Sequence, residues 1–334
     1  MIAPEDMEAC RAAIRTGSYS FHAASCLLPP KVRDAALALY SFCRIADDAV
    51  DDGEDKAAAV LSLRDRLDLV YRGTPKNGFA DRAFAGVVEG YDMPRALPEA
   101  LLEGFAWDAV GRRYGDLSGV LDYSARVAAA VGAMMCVLMG VRERDALARA
   151  CDLGLAMQLT NIARDVGEDA RMGRVYLPLD WLAEEGIDEG AFLAAPEFSP
   201  AIGRVTKRLL GQADRLYHRA EAGVPRLPLA CRPGIFAARL IYDGIGRQVA
   251  RAGYDSVTSR ARTGRAQKLG WLAQATARTA LSALMPAPAR LHAAAEPEVA
   301  FLVDAAARGQ ARTGRSEALL AVLAQLEARD RGVA

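Results

Sequence analysis

The sequence predicts an all-α protein on three observations. Apolar residues make up 52% of the 334 residues, which is enough to bury a large core and excludes a chain that is disordered throughout. Alanine and leucine are abundant, and apolar positions recur at intervals of three and four, as in helices with one buried face. Alternating runs of β-branched residues are nearly absent, so no strand is predicted.

Prolines and glycines separate the predicted helices. In chain order, Pro29-Pro30 lies between helices 4–16 and 31–52, Gly73-Thr74-Pro75 follows helix 56–72, Pro94 and Pro98 mark the change from helix 80–92 to helix 97–114, and Gly115 ends the latter. Helices 119–139 and 143–166 precede Pro178, and helices 200–222, 230–253, 265–284, 297–307 and one ending near residue 329 follow it. No Ser/Gly-rich linker divides the chain. We therefore expect a single domain over residues 1–334, with its motif-bearing core at about 15–270 and C-terminal helices in 271–334.

The balance of charge argues against nucleic acid as a partner. The 42 basic residues equal the 42 acidic ones, so a charged ligand must be recognised locally. Residues 201–290 carry 16 basic and four acidic side chains, and six acids lie between Asp47 and Asp55. One region could hold anions, and the other could hold cations.

Two features of the chain predict a cytoplasmic protein. Its N-terminus lacks the basic start and apolar run of a secretory signal. Its six cysteines form no C-x-x-C pair and have no histidine at zinc-ligand spacing, so we expect them to be reduced. The longest uncharged run, Val127–Val141, is shorter than the ~20 residues that span a bilayer. It is better interpreted as a buried helix that lines an apolar cavity, together with Leu153–Leu159.

The first segment with chemical information is the helix 31–52. At about 100° per residue, its apolar stripe continues into four polar residues that fall within roughly 40° of one another, namely Tyr40, Arg44, Asp47 and Asp51. Two inward carboxylates cost several kcal/mol unless a cation lies between them. A divalent metal would supply that charge.

A second helix repeats this pattern. Four side chains with oxygen donors fall within about 80° on one of its faces, namely Gln158, Asn161, Asp165 and Asp169. Two facing helices with acids at i and i+4 could hold Mg²⁺, which binds substrate phosphates through a few carboxylates. Solvated acidic helix ends are the alternative, which the repetition of the pattern disfavours. An EF-hand is excluded, because aligning Gly53 with its glycine puts Val50 and Ala59 at ligand positions.

The runs YSFCRIADDAVD and QLTNIARDVGEDARMGRVYLP resemble the aspartate-rich motifs of the squalene and phytoene synthases, the head-to-head isoprenyl diphosphate synthases. An N-terminal GSYSF and a late YDGIG extend the resemblance over about residues 15–270, in the family's order. The overall pattern is most similar to the family's bacterial members in carotenoid biosynthesis. The resemblance implies a single helical bundle of the isoprenoid-synthase type around a central cavity.

The resemblance also implies a role for each matching residue. Mg²⁺ would be held by Asp47, Asp51, Asp165, Asp169 and Asn161, with Gln158 as a polar contact for the substrate beside Asn161. The diphosphates would be bound by Arg44, Arg164 and Arg260, and by Ser18 and Ser20 of GSYSF. The reacting carbons would lie near Tyr40, Tyr123 and Tyr242, and the flap that closes the site would be Gly173–Pro178.

Other interpretations of these residues stay open. The arginines could form structural salt bridges, the serines could cap helices, and the tyrosines could belong to the core. Asp48 and Asp52 lie about 100° round the helix from the inward pair, where exposure to solvent is an equal alternative. The basic neighbours of Arg260 leave the alignment of that arginine open.

The implied reaction is the Mg²⁺-dependent condensation of two geranylgeranyl diphosphates, through prephytoene diphosphate, to phytoene and diphosphate, the first committed step of carotenoid biosynthesis. Mn²⁺ could replace Mg²⁺, and no redox cofactor is expected because the reaction ends in loss of a proton. Small residues of the cavity helix would leave room for the polyprenyl chains, namely Ala128, Ala129, Gly132 and Ala133.

Three alternatives remain, namely a squalene or dehydrosqualene synthase acting on farnesyl diphosphate, a terpene cyclase and a non-catalytic helical scaffold. A hydrocarbon product would be released to a membrane, by peripheral contact, or to another carotenoid-pathway enzyme.

Overall fold

Helices form every regular element of the residues that the computed structural model describes, which are 2–17, 24–51, 56–284 and 288–308. The predicted all-α class is confirmed, and no strand occurs in these ranges. Nothing is described of the side chains of residues 15–17, 46–51 and 265. The α-helices are α1 (Pro4–Gly17), α2 (Pro30–Asp51), α3 (Lys56–Tyr71), α4 (Phe79–Tyr91), α5 (Ala96–Ala109), α6 (Leu117–Ser124), α7 (Ala130–Leu138), α8 (Arg144–Arg171), α9 (Leu179–Glu184), α10 (Glu189–Ala194), α11 (Pro200–Glu221), α12 (Arg232–Arg251), α13 (Arg265–Leu284) and α14 (Ala300–Arg308). A π-helical segment, Ala125–Ala129, joins α6 to α7, and short 3₁₀ turns lie at Val224–Arg226, Leu229–Cys231, Ala289–His292 and Pro297–Val299.

The predicted helices differ from these bounds at three places. The helix predicted to reach residue 114 ends at Ala109, because Gly111 adopts a φ of +63° that a helix cannot continue through. The helix predicted to end at 166 continues to Arg171 and so carries the whole second aspartate motif. Helices α9 and α10 were not predicted, since six residues are too few to show a helical repeat. The last predicted helix lies outside the described residues.

Helix α8 is the centre of the bundle. It is 28 residues long, about 42 Å at 1.5 Å per residue, and contacts α7, α11, α12, α14 and the π segment. Two glycines allow the rod α6–π–α7 to cross it closely. A Cβ on Gly154 would lie 2.7 Å from the Ala129 nitrogen, and one on Gly132 would lie 2.7 Å from the Ala150 carbonyl oxygen.

The rod itself is apolar and buried. By length and composition, Leu117–Leu138 could cross a membrane, but 72% of its most apolar window is buried inside the protein, as expected of a core helix. Its π segment contains Arg126, whose Nε lies 3.0 Å from a Glu103 carboxylate oxygen and whose guanidinium stacks 4.2 Å from the Trp107 ring centroid. The buried charge is therefore paired where the helix departs from α geometry.

Buried apolar side chains from α1 to α14 form one hydrophobic cluster. This is the packing expected of the predicted single domain. Because residues 309–334 lie outside the described ranges, the assignment of residues 1–334 to one domain stays a prediction.

Candidate active site

A cavity of about 480 Å³ lies between α2, the α6–π–α7 rod, α8 and α12. Along α8 it is lined from Asn161 to Ala146, a distance of about 22 Å at 1.5 Å per residue. The end near Asn161 is polar, and the rest is largely apolar. The predicted polar residues that line it are Tyr40, Arg44, Tyr123, Gln158, Asn161 and Tyr242. The cavity therefore brings together tyrosines and an arginine that three different helices supply.

The predicted walls of the cavity are confirmed in part. Val127 and Met139 line it from the rod, and Leu153 and Met157 line it from α8. Among the small residues, Ala128 and Gly132 face the cavity. The prediction is wrong for Ala129 and Ala133, which are fully buried and do not line it. Their small size serves close packing of the rod, since the backbone of Ala129 lies against Gly154.

A carboxylate that the sequence reading missed holds two tyrosines at the cavity. Asp108, at the end of α5, lines the cavity and accepts hydrogen bonds from the Tyr123 hydroxyl at 2.9 Å and the Tyr176 hydroxyl at 2.6 Å. The two tyrosine rings stack with centroids 5.0 Å apart, and Tyr114 lies 5.3 Å from Tyr123. Burial, and then the negative charge of Asp108, raise the pKa of Tyr123 well above its usual value. Both tyrosines are therefore neutral hydrogen-bond donors with fixed orientations.

Tyr176 belongs to the predicted flap, Gly173–Pro178. The flap is held at its first residue, where Arg113 donates to the Gly173 carbonyl at 2.9 Å. Just beyond its last residue, the Leu179 nitrogen donates to the Tyr114 carbonyl at 3.0 Å. The segment is therefore held near both ends, and its closing of the site stays a prediction.

The second aspartate motif lies on α8, beside the polar end of the cavity. The Asp165 carboxylate pairs with two of the three predicted diphosphate-binding arginines, since Arg164 Nε and Arg260 Nε each donate to its Oδ1 at 2.7 Å. Arg260 also contacts Glu168 at 3.1 Å. Asn161 donates to the Gln158 amide oxygen at 3.3 Å on the same helix. The structure thus brings Asp165, Arg164 and Arg260 together across 95 residues of sequence.

The loop that carries Arg260 is seated directly on the backbone of α8. Ser256 Oγ donates to the Ala163 carbonyl at 2.6 Å, and the Gly167 nitrogen donates to the Ser256 carbonyl at 3.0 Å. A Cβ on Gly167 would lie 2.6 Å from the Val257 Cα. Glycine at this position is therefore what lets the loop approach the helix.

Between this loop and α8 lies a second pocket, of about 280 Å³. Four arginines line it together with hydroxyl side chains, namely Arg164, Arg171, Arg260 and Arg262 with Ser256, Thr258 and Ser259. Arginine guanidinium groups and hydroxyls are the donors that bind phosphate oxygens. The pocket adjoins the second aspartate motif through Arg164 and Glu168.

The charge of Asp169 provides a test of whether a divalent cation fits this site. Burial, and then the nearby Asp165 carboxylate, raise the Asp169 pKa from 3.8 to about 7, and Arg174 offsets this only in part. A buried carboxylate with a second carboxylate beside it is an arrangement whose charge a divalent cation would neutralise. Among the described side chains, no three His, Cys, Asp or Glu residues cluster closely enough to form a complete metal site.

The first aspartate motif falls in the C-terminal half of α2, whose backbone is helical through Asp51. The side chains of Asp47 and Asp51 lie outside the description, as do Ser18 and Ser20, so these four predictions stay predictions. Arg44, one turn before Asp47, lines the cavity.

A buried ion cluster closes the far end of the cavity. Arg149, whose side chain is fully buried, lies 2.7 Å from an Asp152 oxygen, and Arg219 lies 3.0 Å from the same oxygen. Arg149 also donates to the Arg290 carbonyl at 2.7 Å. A Cβ on Gly223 would overlap the Arg149 side chain. The apolar cavity therefore ends at a charged floor that the segment near Arg290 covers.

No prediction named Asp108, Gly167 or Ser256 as part of the site, and Tyr176 was named only within the predicted flap. Gly167 and Tyr176 lie inside the run QLTNIARDVGEDARMGRVYLP, and their position in this motif was the only signal that they belong to the site. Asp108 gave a weaker signal, since it is one of three acids on α5 and no motif includes it. Nothing in the spacing of the sequence indicates that Ser256 contacts α8.

An all-helical bundle whose cavity joins arginines and carboxylates to a long apolar interior defines a class of isoprenoid-diphosphate enzymes. The sequence model of the family "Squalene/phytoene synthase" matches residues 14–271. The chain belongs to the squalene/phytoene synthase family.

Curated relatives match along the whole chain. A phytoene synthase from Cereibacter sphaeroides is 68% identical, with all of this chain and 97% of the relative covered. A phytoene synthase from Rhodobacter capsulatus is 63% identical, with 100% and 99% covered. Among solved structures, a dehydrosqualene synthase in complex with a ligand aligns with a TM-score of 0.75 at 28% identity, over 83% of this chain and 97% of that one.

Proposed function

We propose that this enzyme condenses two geranylgeranyl diphosphates to phytoene, the first committed step of carotenoid biosynthesis. The observation that carries the proposal is the cavity, which runs about 18 Å along α8 from the polar groups near Asn161 to the buried Arg149. Full-length relatives at 68% and 63% identity that are named phytoene synthase favour the carotenoid product over squalene.

The arginines would bind the leaving diphosphate. Arg164 and Arg260 already converge on one carboxylate, so their guanidinium groups can exchange it for phosphate oxygens in the same bidentate manner. Arg44, which lines the cavity on α2, would bind the other diphosphate together with Ser18 and Ser20. Binding both diphosphates at the polar end leaves the two prenyl chains in the apolar part.

Mg²⁺, or Mn²⁺ in its place, would be held by Asp165, Asp169 and Asn161, together with Asp47 and Asp51, and would neutralise the charge of the departing diphosphate. The burial of Asp169 beside Asp165 supports this assignment, since a cation would offset the cost of charging the buried carboxylate.

The tyrosines would act on the allylic cation that forms when diphosphate leaves. Tyr40, Tyr123 and Tyr242 line the cavity and can stabilise positive charge through their ring faces. Asp108 fixes the Tyr123 ring through its hydroxyl, which keeps that face in place. The double bond of the second substrate then attacks, and ring closure with loss of one proton gives the cyclopropyl intermediate, prephytoene diphosphate. This intermediate loses its own diphosphate, rearranges and releases a second proton. No hydride is needed, so no redox cofactor enters the proposal.

The proposal also includes a cytoplasmic location and a single catalytic domain. The location rests on the six cysteines, which we expect to be reduced, and the single domain rests on the lack of a Ser/Gly-rich linker.

The test is product analysis with purified protein and Mg²⁺. Geranylgeranyl diphosphate alone should give phytoene, NADPH should leave the product unchanged, and farnesyl diphosphate should be used poorly. Asp165→Asn, with circular dichroism to confirm folding, is the control and should lose most of the turnover. If squalene or dehydrosqualene formed from farnesyl diphosphate while geranylgeranyl diphosphate stayed intact, the shorter-chain reaction would replace the proposal. If neither substrate gave a product, a non-catalytic scaffold would be favoured.

A further inference from the structure

Helix α13 exposes an apolar face. Leu269, Leu281 and Leu284 are 67%, 57% and 84% exposed. From residue 266 to residue 284, every exposed position of the helix is uncharged, and only Gln274 and Thr276 among them are polar. At about 100° per residue these positions cover about half of the helix circumference. A surface helix of a globular protein ordinarily presents charged residues on this side.

The exposed face is not the packing face of α13. The helix packs on α12 through its opposite side, where Trp271 fits against Gly244 so closely that a Cβ there would overlap the ring. Arg278, also away from the exposed face, pairs with Glu221. The core contacts of α13 are therefore made, and the apolar face remains directed outward.

The turn before α12 extends this face. Leu229 is 55% exposed, and Arg232, three residues later, donates to the Ser282 hydroxyl at 3.2 Å. The turn therefore lies beside the C-terminal end of α13, near Leu281. We define the docking face as Leu229 together with the exposed residues 266–284 of α13.

The chain around the docking face is basic. Residues 256–295 contain six arginines or lysines and no acidic residue, and two of the six, Arg260 and Arg278, pair with acids elsewhere in the fold. Arg262 and Arg290, on either side of α13 in the sequence, are exposed. Basic residues near an anionic membrane surface contribute about 1 kcal/mol each. A second copy of this chain would instead bring two basic segments together, so charge favours lipid over self-association.

We propose that the docking face binds the surface of an anionic lipid bilayer, with its leucines in the interfacial layer. This is the arrangement of an amphipathic helix that lies on a membrane.

The docking face is close to the cavity. Ile235 and Tyr242 of α12 line the cavity, so α12 alone separates it from α13. Leu227 lines the cavity two residues before the exposed Leu229. The hydrocarbon product would leave toward the lipid beside this turn. That last step rests on the proposed function, whereas docking does not.

The test is cosedimentation of the full chain with lipid vesicles in the absence of substrate. Vesicles of equal parts phosphatidylcholine and phosphatidylglycerol should bind the protein, and vesicles of phosphatidylcholine alone should bind it much less. Leu281→Asp and Leu284→Asp should each lower the partition coefficient about tenfold, since burying one leucine is worth about 1.5 kcal/mol or more. Leu281→Met should retain binding. The control is Leu61→Asp on α3, an exposed leucine 36% accessible on a helix that packs on α2, α4 and α5, and it should bind like the wild type.

Two outcomes would overturn the proposal. One is wild-type binding by both aspartate variants. The other is a wild-type protein that does not bind vesicles but forms concentration-dependent dimers in sedimentation velocity. If Leu284→Asp abolished those dimers, the docking face would be a contact between two copies of the chain. Because no substrate is present, neither result depends on which product the enzyme forms.

Discussion

Gly167→Ala tests whether the loop that carries Arg260 must approach α8 as closely as the structure indicates. In a helix, alanine is ordinarily about 1 kcal/mol more favourable than glycine. Here the new methyl group would contact the backbone of Val257, at 2.6 Å from its Cα, and the neighbouring hydrogen bond from Ser256 to the Ala163 carbonyl would be strained. Loss of that hydrogen bond, about 1 kcal/mol, offsets the gain in propensity. Overpacking against the loop then leaves a net loss of about 1–3 kcal/mol in the free energy of unfolding.

Gly211→Ala is the matched control, because Gly211 lies in α11 with nothing within 4 Å of its added Cβ. Urea unfolding should show Gly211→Ala stabilised by up to about 1 kcal/mol and Gly167→Ala destabilised. Turnover should fall for Gly167→Ala alone, since the loop would carry Arg260 away from Asp165. Equal stabilisation of the two variants would refute the close approach of the loop.

Three further variants test other parts of the site. Asp108→Asn should lower the free energy of unfolding by about 1–2 kcal/mol and reduce turnover, because the charged acceptor of two tyrosine hydroxyls is lost, and urea unfolding together with product formation measures both. Folding raises the Asp169 pKa from 3.8 to about 7, so metal-free protein should lose stability as pH rises through that window. Thermal unfolding measured in chelator should show a smaller change of stability with pH in Asp169→Asn than in the wild type. An equal change in both proteins would mean that another group causes the pH dependence. Ala150→Leu would fill the cavity about 16 Å along α8 from Asn161. In competition between the two substrates it should disfavour geranylgeranyl diphosphate relative to farnesyl diphosphate, and an unaltered ratio would mean that the chains do not reach Ala150.

Local periodicity was enough to predict most helices and the polar face of α8. Gln158, Asn161, Asp165 and Asp169 share a face because α8 is regular, so their alignment follows from the sequence alone. The resemblance added Arg260, which no spacing could connect to Asp165. The sequence could not predict contacts between segments that are distant in the chain, such as the hydrogen bond from Ser256 to the Ala163 carbonyl of α8. These depend on how helices pack, and a single glycine or serine carries no signal of its partner.

The π segment gives the cavity a property that neither α6 nor α7 would have alone. The rod lines the cavity at every fourth residue, through Tyr123, Val127, Val131, Met135 and Met139. In an unbroken α-helix, each step of four overshoots a full turn by about 40°, so the stripe would wind away from the cavity. A π turn holds more residues than an α turn, so within Ala125–Ala129 the overshoot is partly cancelled. The segment therefore keeps Tyr123, near one end of the cavity, on the same side of the rod as Met135 and Met139 toward the other end.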